Sequence, residues 1–322
     1  MKNTEITHVC IVETVYTLFL YMILVGEKSF EHTFFFCSLQ LPDQIRDRLP
    51  RVHCFHVPQS RFKKWLFRVW LYVYSPFRWQ FIKRCWIYGS DNSLFSSGII
   101  GCNDFRLIED GASNYAIYPP DASIGLMHHL KKWFMGPLAA YNCGGRAYNV
   151  KKIFLTGALP IPSDIQSKVE VISVETLWKQ LSLSYRNRIM DLFGISLTEL
   201  QTLRGYSEVL FTQPMFEDGL LRKEEEIALY QNLLVKSNLK KLVIKVHPRD
   251  TLDYGQLFPD SYVLKTKIPM ELLSILGVKF KEVYTVFSTA ALTLPYQANI
   301  HFLGTSVHPN LLRYRGLIEY TL

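Results

Sequence analysis

The sequence has no apolar run long enough to cross a membrane. Its apolar and aromatic stretch over 15–25 has eleven residues and is interrupted only by Thr17, whereas a membrane-spanning helix needs about 20 residues. The amino terminus also lacks the basic leader and the small-residue cleavage site of a signal peptide. We therefore expect a cytoplasmic protein in which this stretch belongs to a buried strand-then-helix unit.

Cysteine is scarce and irregularly spaced. The six cysteines form no C-x-x-C pair, which argues against a zinc site and against a disulfide framework. Most of them lie in apolar or aromatic stretches, which favours buried free thiols and a reducing compartment. They are Cys10, Cys37, Cys54, Cys85, Cys102 and Cys143.

Signatures of nucleic-acid and metal binding are missing as well. There is no RNP motif, zinc-finger pattern or lysine-rich tail, and no Asp-x-Asp motif stands where it would hold a metal. His53 and His56 fall on one strand candidate, 52–57, where they point to opposite faces. We therefore expect no nucleic-acid partner and no metal.

Length and composition indicate two folded domains. Hydrophobic residues make up 48% of the 322-residue chain and charged residues 20%, which is typical of a globular protein with about two domains. Strand and helix patterns alternate along the chain, beginning with a βαβ unit over 7–37. We predict an α/β fold with one domain over 1–200 and another over 201–322.

Positive charge is in excess. The formal net charge of +8 suggests an anionic partner, either a nucleotide, an anionic lipid or a nucleic acid. The segment 61–84 interleaves cations with aromatic residues, a mixture that fits a helix on a membrane surface. The alternative is an ordinary amphipathic helix, broken at Pro76, whose aromatic residues pack in the core. The cations of the segment are Arg61, Lys63, Lys64, Arg68, Arg78, Lys83 and Arg84.

A strand that ends at a His-Pro pair is the first candidate for chemistry. The apolar run 242–246 predicts a buried parallel strand. Pro248 ends it, which places His247 at the carboxyl edge, where open α/β sheets bind ligands. Lys245 shares the pleat face of His247, so an ammonium and an imidazole can meet one anion. A histidine that merely finishes a strand is the alternative.

An acidic motif follows another predicted strand. Glu109, Asp110 and Gly111 come directly after 105–108, which places an acid at the carboxyl edge and lets the backbone turn. Asn114 provides a polar side chain beside that acid. A simple Asp-Gly turn is the alternative.

A pair of hydroxyl residues follows a third strand. Ser288 and Thr289 come after 282–287 and predict hydroxyls at the amino terminus of a helix, where free N–H groups make a phosphate site. An ordinary helix N-cap is the alternative.

These three motifs, in this order, resemble those of bacterial sialyltransferases, which carry an acidic-acidic-Gly turn, a His-Pro pair and a Ser-Ser or Ser-Thr pair. The opening strand and helix, the Thr212-Gln-Pro214 stretch and the run 282–293 look specifically like glycosyltransferase family 52. That family includes sialyltransferases of lipooligosaccharide and capsule.

The resemblance implies a GT-B architecture of two Rossmann-like domains whose parallel sheets face a central cleft. It implies an inverting, metal-independent transfer of sialic acid from CMP-Neu5Ac to a terminal galactose of a bacterial surface glycan, with α-2,3 linkage and no cofactor. We expect the enzyme at the inner membrane face, in contact with anionic lipid through 61–84. Whether it forms a homodimer is left open. The alternatives are a hexosyltransferase that uses another nucleotide sugar, and a non-enzymatic basic protein that binds membrane surfaces.

Residue roles are also implied by the resemblance. His247 would meet the CMP phosphate, Ser288 and Thr289 would hold it, and Lys245 and Glu271 would face the nucleotide. The remaining substrate-binding residues are Glu109, Gly111, Asn114, Pro248 and Arg249.

The catalytic base is left open between two places. Asp110 is the candidate by motif. The acid that family 52 is thought to use comes just after a strand and proline, whereas here Met215 and Phe216 separate Pro214 from the two acids that follow. Those two further candidates are Glu217 and Asp218.

Overall fold

The protein is described from a computed structural model that covers residues 5–39, 41–58, 60–92, 96–100, 103–116, 144–264, 266–292 and 294–319. It divides into two compact units, Met1–Leu192 and Phe193–Leu322. Within the described residues, no helix is both long and apolar enough to span a bilayer.

The first unit is built on a seven-stranded sheet in which every pair is parallel. The strands are β1 His8–Val12, β2 Thr33–Ser38, β3 Val52–Phe55, β4 Trp86–Gly89, β5 Phe105–Ile108, β6 Val150–Leu155 and β7 Val169–Val171. Their order, β3-β2-β1-β4-β5-β6-β7, reverses between β1 and β4. In such sheets the reversal point is where ligands bind.

The helices of this unit connect and cover the strands. They are α1 Val15–Val25, α2 Glu27–Phe30, α3 Asp43–Arg46, α4 Arg61–Arg78, α5 Ser96–Ile100, α6 Val174–Gln180 and α7 Leu183–Leu192. Thr14 caps α1, since its hydroxyl accepts a hydrogen bond from the backbone of Thr17. The stretch 17–23 is buried in α1, which confirms the prediction of a buried helix there.

The second unit repeats this architecture with five parallel strands. The strands are β8 Glu208–Phe211, β9 Leu242–Lys245, β10 Tyr262–Leu264, β11 Glu282–Thr285 and β12 Asn299–Phe302, in the order β10-β9-β8-β11-β12. Its helices are α8 Leu197–Leu203, α9 Lys223–Leu233, α10 Tyr254–Leu257, α11 Met270–Ile275 and α12 Pro309–Arg315. Both units are therefore α/β domains with parallel sheets, as predicted.

Two local expectations are wrong. The break at Pro76, which belonged to the alternative view of 61–84, does not occur: α4 continues to Arg78, and the backbone N–H of Trp79 donates to the carbonyl of Ser75 at 3.0 Å. The predicted helix at Ser288 is only a single 3-10 turn, Thr289–Ala291. No α-helical N-terminus is therefore present at that position for a phosphate.

Four cysteines are confirmed as free thiols: Cys10, Cys37 and Cys85 are buried and Cys54 is half-buried. Burial raises the pKa of the Cys85 thiol to about 11, which makes it unreactive at neutral pH. Cys102 and Cys143 lie outside the described residues.

Candidate active site

Asp110 lies at the carboxyl edge of the first sheet, where the strand order reverses. Its carboxylate accepts hydrogen bonds from three hydroxyls: Thr14 Oγ1 at 2.8 Å, Thr17 Oγ1 at 2.7 Å and Ser90 Oγ at 3.0 Å. These residues lie in the segments that follow β1, β4 and β5, which are neighbours in the sheet; Thr17 is in the first turn of α1. The fold therefore holds one carboxylate in a fixed position at the edge where ligands bind.

Gly89 is needed to bring the Ser90 hydroxyl to the carboxylate of Asp110. Its φ is +125°, and a Cβ there would lie 2.0 Å from the carbonyl oxygen of Ile11. Because glycine permits this close approach, the backbone N–H of Ser90 donates to that same carbonyl at 3.2 Å. The hydroxyl of Ser90 is thereby aimed at Asp110.

The environment of Asp110 suits a proton acceptor. Partial burial raises the pKa of its carboxyl group, although the hydrogen bonds from Thr17, Thr14 and Ser90 oppose the rise. No cation of the described residues forms an ion pair with it. A carboxylate with a raised pKa and no paired cation is a better general base than an ordinary surface aspartate.

Glu109 is fully buried and engaged by other protein groups. Its carboxylate accepts from Tyr115 OH at 2.9 Å, from Tyr16 OH at 3.1 Å and from the hydroxyl and backbone N–H of Thr156. Burial raises the pKa of Glu109, although the hydrogen bonds from these four donors oppose the rise. Glu109 therefore connects α1 with the segments after β5 and β6, and its predicted contact with substrate stays a prediction.

Gly111 and Asn114 shape the turn that carries Asp110. Gly111 has a φ of +122°, which favours glycine. Asn114 is buried, and its Oδ1 accepts from the backbone N–H of Asp110 at 2.6 Å. Both residues position the carboxylate, and their direct binding of substrate stays a prediction.

His247 lies two residues beyond β9, at the carboxyl edge of the second sheet. Its backbone N–H donates to Thr212 Oγ1 at 2.9 Å, and its ring Nδ1 accepts from the backbone N–H of Arg249 at 3.2 Å. Burial, followed by the charges of Arg249, Lys245 and Lys267, lowers the pKa of His247 to about 4, with Asp218 opposing. The ring is thus neutral at pH 7 with its proton on Nε2.

Two lysines lie beside this histidine. Burial lowers the pKa of Lys245 to about 8, helped by the charge of Lys267 and opposed by Glu271 in the first turn of α11. Lys267 was not singled out from the sequence, and partial burial lowers its pKa as well. With His247 they form what we call the cationic site.

Gln213 anchors the turn that carries Ser288. Its Oε1 accepts from the backbone N–H of Phe287 at 2.9 Å, and its own backbone N–H donates to the hydroxyl of Tyr230 at 2.7 Å. The backbone N–H of Ser288 donates to Thr285 Oγ1 at 2.9 Å. From the sequence Gln213 was noted only as part of the Thr212-Gln-Pro214 stretch and had no role assigned, because the parallel pairing of β8 with β11 is what brings it to this turn.

Glu217 and Asp218 hold the segment that follows Pro248. Asp218 forms ion pairs with Arg249 and with Arg315, the latter at 2.6 Å. One oxygen of Glu217 accepts from the backbone N–H of Thr251 at 2.8 Å and from its hydroxyl. The other oxygen of Glu217 is buried and finds no hydrogen-bond partner in the described residues.

Helix α4 presents most of its large side chains to solvent. Among its described side chains a narrow stripe packs inward, with Leu71 fully buried and Phe67 partly buried against the core. Phe62 is 68% exposed and Phe77 74% exposed, so the aromatic residues do not all pack in the core. Among the side chains that the structure describes, the other exposed large apolar residues of α4 are Trp65, Leu66, Trp70, Val73 and Tyr74.

Sequence comparison identifies related proteins. The model of glycosyltransferase family 52 matches residues 41–311 of this chain. An uncharacterized protein of Haemophilus influenzae is 38% identical over 234 residues, which are 73% of this chain and 73% of that protein.

Three similar solved structures come from Photobacterium, and each aligns with 92% of this chain. An α/β-galactoside α-2,3-sialyltransferase of Photobacterium phosphoreum has a TM-score of 0.56 at 13% identity over 90% of its chain. A 2,6-sialyltransferase of a Photobacterium species, solved with CMP and lactose, gives 0.57 at 10% identity over 71%. The GT-B domain of a Photobacterium damselae sialyltransferase gives 0.54 at 14% identity over 90%. At these identities the likeness concerns the fold, and the prediction of a GT-B type fold is confirmed.

Proposed function

Because this chain belongs to glycosyltransferase family 52 and is therefore a glycosyltransferase, we propose that it transfers sialic acid from CMP-Neu5Ac to a terminal galactose. The proposed acceptor is a bacterial surface glycan of the lipooligosaccharide or capsule type, and the proposed linkage is α-2,3. The observation that carries the proposal is the cationic site, which offers a neutral imidazole N–H and two ammonium groups at the carboxyl edge of β9. The similarity of the fold to three sialyltransferases supports it.

The donor half of the reaction requires stabilisation of the departing nucleotide. Sialyl transfer from CMP proceeds through an oxocarbenium-like transition state in which negative charge grows on the phosphate, so hydrogen-bond donors and cations must meet that phosphate. His247 Nε2–H, the Lys245 ammonium and the half-buried Ser288 hydroxyl suit this task. Thr289 and Arg249 complete the proposed donor contacts, with Glu271 on the ribose hydroxyls and Pro248 shaping the turn.

The acceptor half requires a base for the galactose hydroxyl. We assign this role to Asp110, because its carboxylate is fixed, has a raised pKa and forms no ion pair with a described residue. Asp218 is less suited, since two arginines already neutralise its charge. A single displacement with one base would invert the configuration at the sugar carbon.

Metal-independent transfer is part of the same proposal. Cationic side chains can neutralise the departing phosphate as Mg²⁺ does in other transferases. Among the described residues, no group of three or more His, Cys, Asp or Glu side chains converges on a point that could hold a metal.

A direct assay decides between this donor and the alternative, a hexose from another nucleotide sugar. Purified protein is incubated with CMP-Neu5Ac, with and without lactose, and CMP release is measured beside a panel of UDP-sugars. We expect release of CMP that lactose accelerates. Hydrolysis or transfer from a UDP-sugar alone would replace the proposed donor, whereas the non-enzymatic alternative is set aside because the family is one of glycosyltransferases.

We also propose that α4 contacts the anionic inner face of the membrane, where a lipid-linked or surface glycan precursor is available. Two features support this contact. Phe62, Trp70 and Phe77 are exposed, and exposed cations such as Lys63 and Arg68 lie on the same helix. Aromatic residues at the headgroup level with cations on lipid phosphates are a common means of peripheral attachment.

A further inference from the structure

Lys267 lies on the loop between β10 and α11, three residues past the end of β10. That strand pairs in parallel with β9, with Leu264 opposite Lys245. The loop therefore emerges at the same edge of the sheet as His247.

The residues on both sides of Lys267 are fixed. Thr266 Oγ1 donates to Glu199 Oε1 of α8 at 3.1 Å, and Ile268 is fully buried. The half-buried Lys267 side chain is thus held at the sheet edge by two anchored neighbours.

Like charges are concentrated here: Glu271 opposes the lowering of the Lys245 pKa and Asp250 that of the Lys267 pKa, but among the described residues neither acid forms an ion pair with a lysine of the cationic site. Lys267 lies near enough to lower the pKa of both Lys245 and His247. In the described part of the chain, neither lysine has a carboxylate within ion-pair distance. Asp250 is the acid that counters Lys267, and it already accepts hydrogen bonds from Tyr254 OH and the backbone of Leu252.

Such a pair of half-buried ammonium groups is costly in the unliganded protein, and an anion would offset the cost. Arg249 forms an ion pair with Asp218, so its charge is less available to an anion than the charge of Lys267. We infer that Lys267 is a nucleotide-binding residue, which acts with Lys245 and His247 on the phosphate of the departing nucleoside monophosphate. This inference rests on the proposed function and deepens it.

The charge of the leaving group explains why two ammonium groups would serve the reaction. The phosphate of a CMP-sugar is a diester with a single negative charge, whereas a phosphate monoester carries about −1.5 to −2 at pH 7. Two cations therefore interact more strongly with the departing nucleotide than with the bound donor. An interaction that grows toward the transition state raises kcat as well as product affinity.

The test compares the wild type with Lys267→Met and Lys267→Arg, and with Lys240→Met as an exposed-lysine control in the same unit. CMP affinity is measured by calorimetry from pH 6 to 9, together with kcat, the donor KM and the lactose KM. Thermal unfolding midpoints establish that each variant is folded. We expect Lys267→Met to weaken CMP binding roughly tenfold or more and to lower kcat, with an unchanged lactose KM. Lys267→Arg and the Lys240→Met control should stay within a few-fold of wild type in CMP affinity and kcat.

The pH dependence of CMP binding shows whether the charge of Lys267 acts at the cationic site or whether the substitution has only a structural effect. In the wild type, affinity should fall above pH 8 as Lys245 loses its proton, since its pKa is about 8. Removal of the neighbouring charge of Lys267 raises the pKa of Lys245. In Lys267→Met the fall in CMP affinity should therefore occur at a higher pH. Wild-type affinity and an unmoved alkaline midpoint in a folded Lys267→Met would overturn the inference.

Failure of the proposed donor gives a different result. If the wild type binds UMP and not CMP, the sialyl donor is wrong, and the same variants measured with UMP decide the role of Lys267. Binding of neither nucleotide by the folded wild type would overturn both.

Discussion

The backbone N–H of Arg249 donates a hydrogen bond to Nδ1 of His247 across 3.2 Å. A neutral imidazole that accepts at Nδ1 carries its proton on Nε2, and the pKa of His247 is lowered to about 4. His247 is therefore a preorganised neutral donor and not a histidinium acid. The turn made by Pro248 creates this relationship, because it folds Arg249 back onto the ring.

His247→Ala should lower turnover by roughly 10²-fold or more, because loss of one preorganised donor costs about 3 kcal/mol of transition-state stabilisation. The folded pKa of His247 lies below the value of 6.5 in the unfolded chain, so the ring stays neutral as pH falls from 7 to 5. Activity of the wild type should accordingly show no histidine inflection in that range. A folded His247→Ala with near wild-type turnover would remove His247 from the mechanism.

Asp110→Asn should lower kcat by about 10²-fold or more, since general-base catalysis contributes typically 10²–10⁴-fold, and it should leave CMP affinity unchanged. Glu217→Gln and Asp218→Asn are the matched controls. Because these two acids hold the segment after Pro248, their variants should act mainly through donor affinity and thermal stability. A larger kcat loss in Glu217→Gln or Asp218→Asn, with intact CMP binding, would move the base to that residue.

Parts of the candidate site could be predicted from the sequence because they follow strands directly. An apolar run cut off by Pro248 locates a carboxyl edge, and so does the strand that precedes Glu109, so His247 and Asp110 were found by local patterns. The hydroxyls around Asp110 could not be found this way. Thr14 and Ser90 come from distant loops, and the strand order alone brings them to one carboxylate.

The roles of Lys267 and Gln213 were missed for a related reason. Lys267 belongs to no local motif, and Gln213 was noted only as part of the Thr212-Gln-Pro214 stretch. Each reaches its site through the parallel pairing of its strand with a neighbour. The turn at Ser288 was misjudged as a helix because the small residues after it fit a helical start equally well. The structure stabilises that turn by side-chain contacts from Gln213 and Thr285.

Full activity is expected in EDTA. The proposed partners of the phosphate are His247, Lys245, Lys267 and Ser288, so chelation should remove nothing that the reaction needs. The measurement is CMP release after dialysis against EDTA, compared with enzyme supplied with Mg²⁺ or Mn²⁺. Lost activity that either ion restores would contradict the metal-free assignment.

Charge reversal on α4 should abolish attachment to anionic vesicles. The triple variant Lys63→Glu, Lys64→Glu and Arg68→Glu changes the net charge by six units, and each basic residue near an anionic surface contributes about 1 kcal/mol of binding. The wild type should bind such vesicles less tightly as salt increases, because salt screens the attraction. Activity on lactose should stay the same in the variant, because α4 has no part in the proposed chemistry.

A matched control separates this contact from a general effect of charge. The exposed residues Lys236, Lys240 and Lys281 of the second unit, changed together to Glu, alter the net charge equally and should leave vesicle binding nearly intact. Co-sedimentation of all three proteins with vesicles of stated anionic lipid content gives the comparison. Equal binding by the α4 variant, or no binding by the wild type, would mean that the exposed aromatic residues of α4 serve a contact other than lipid.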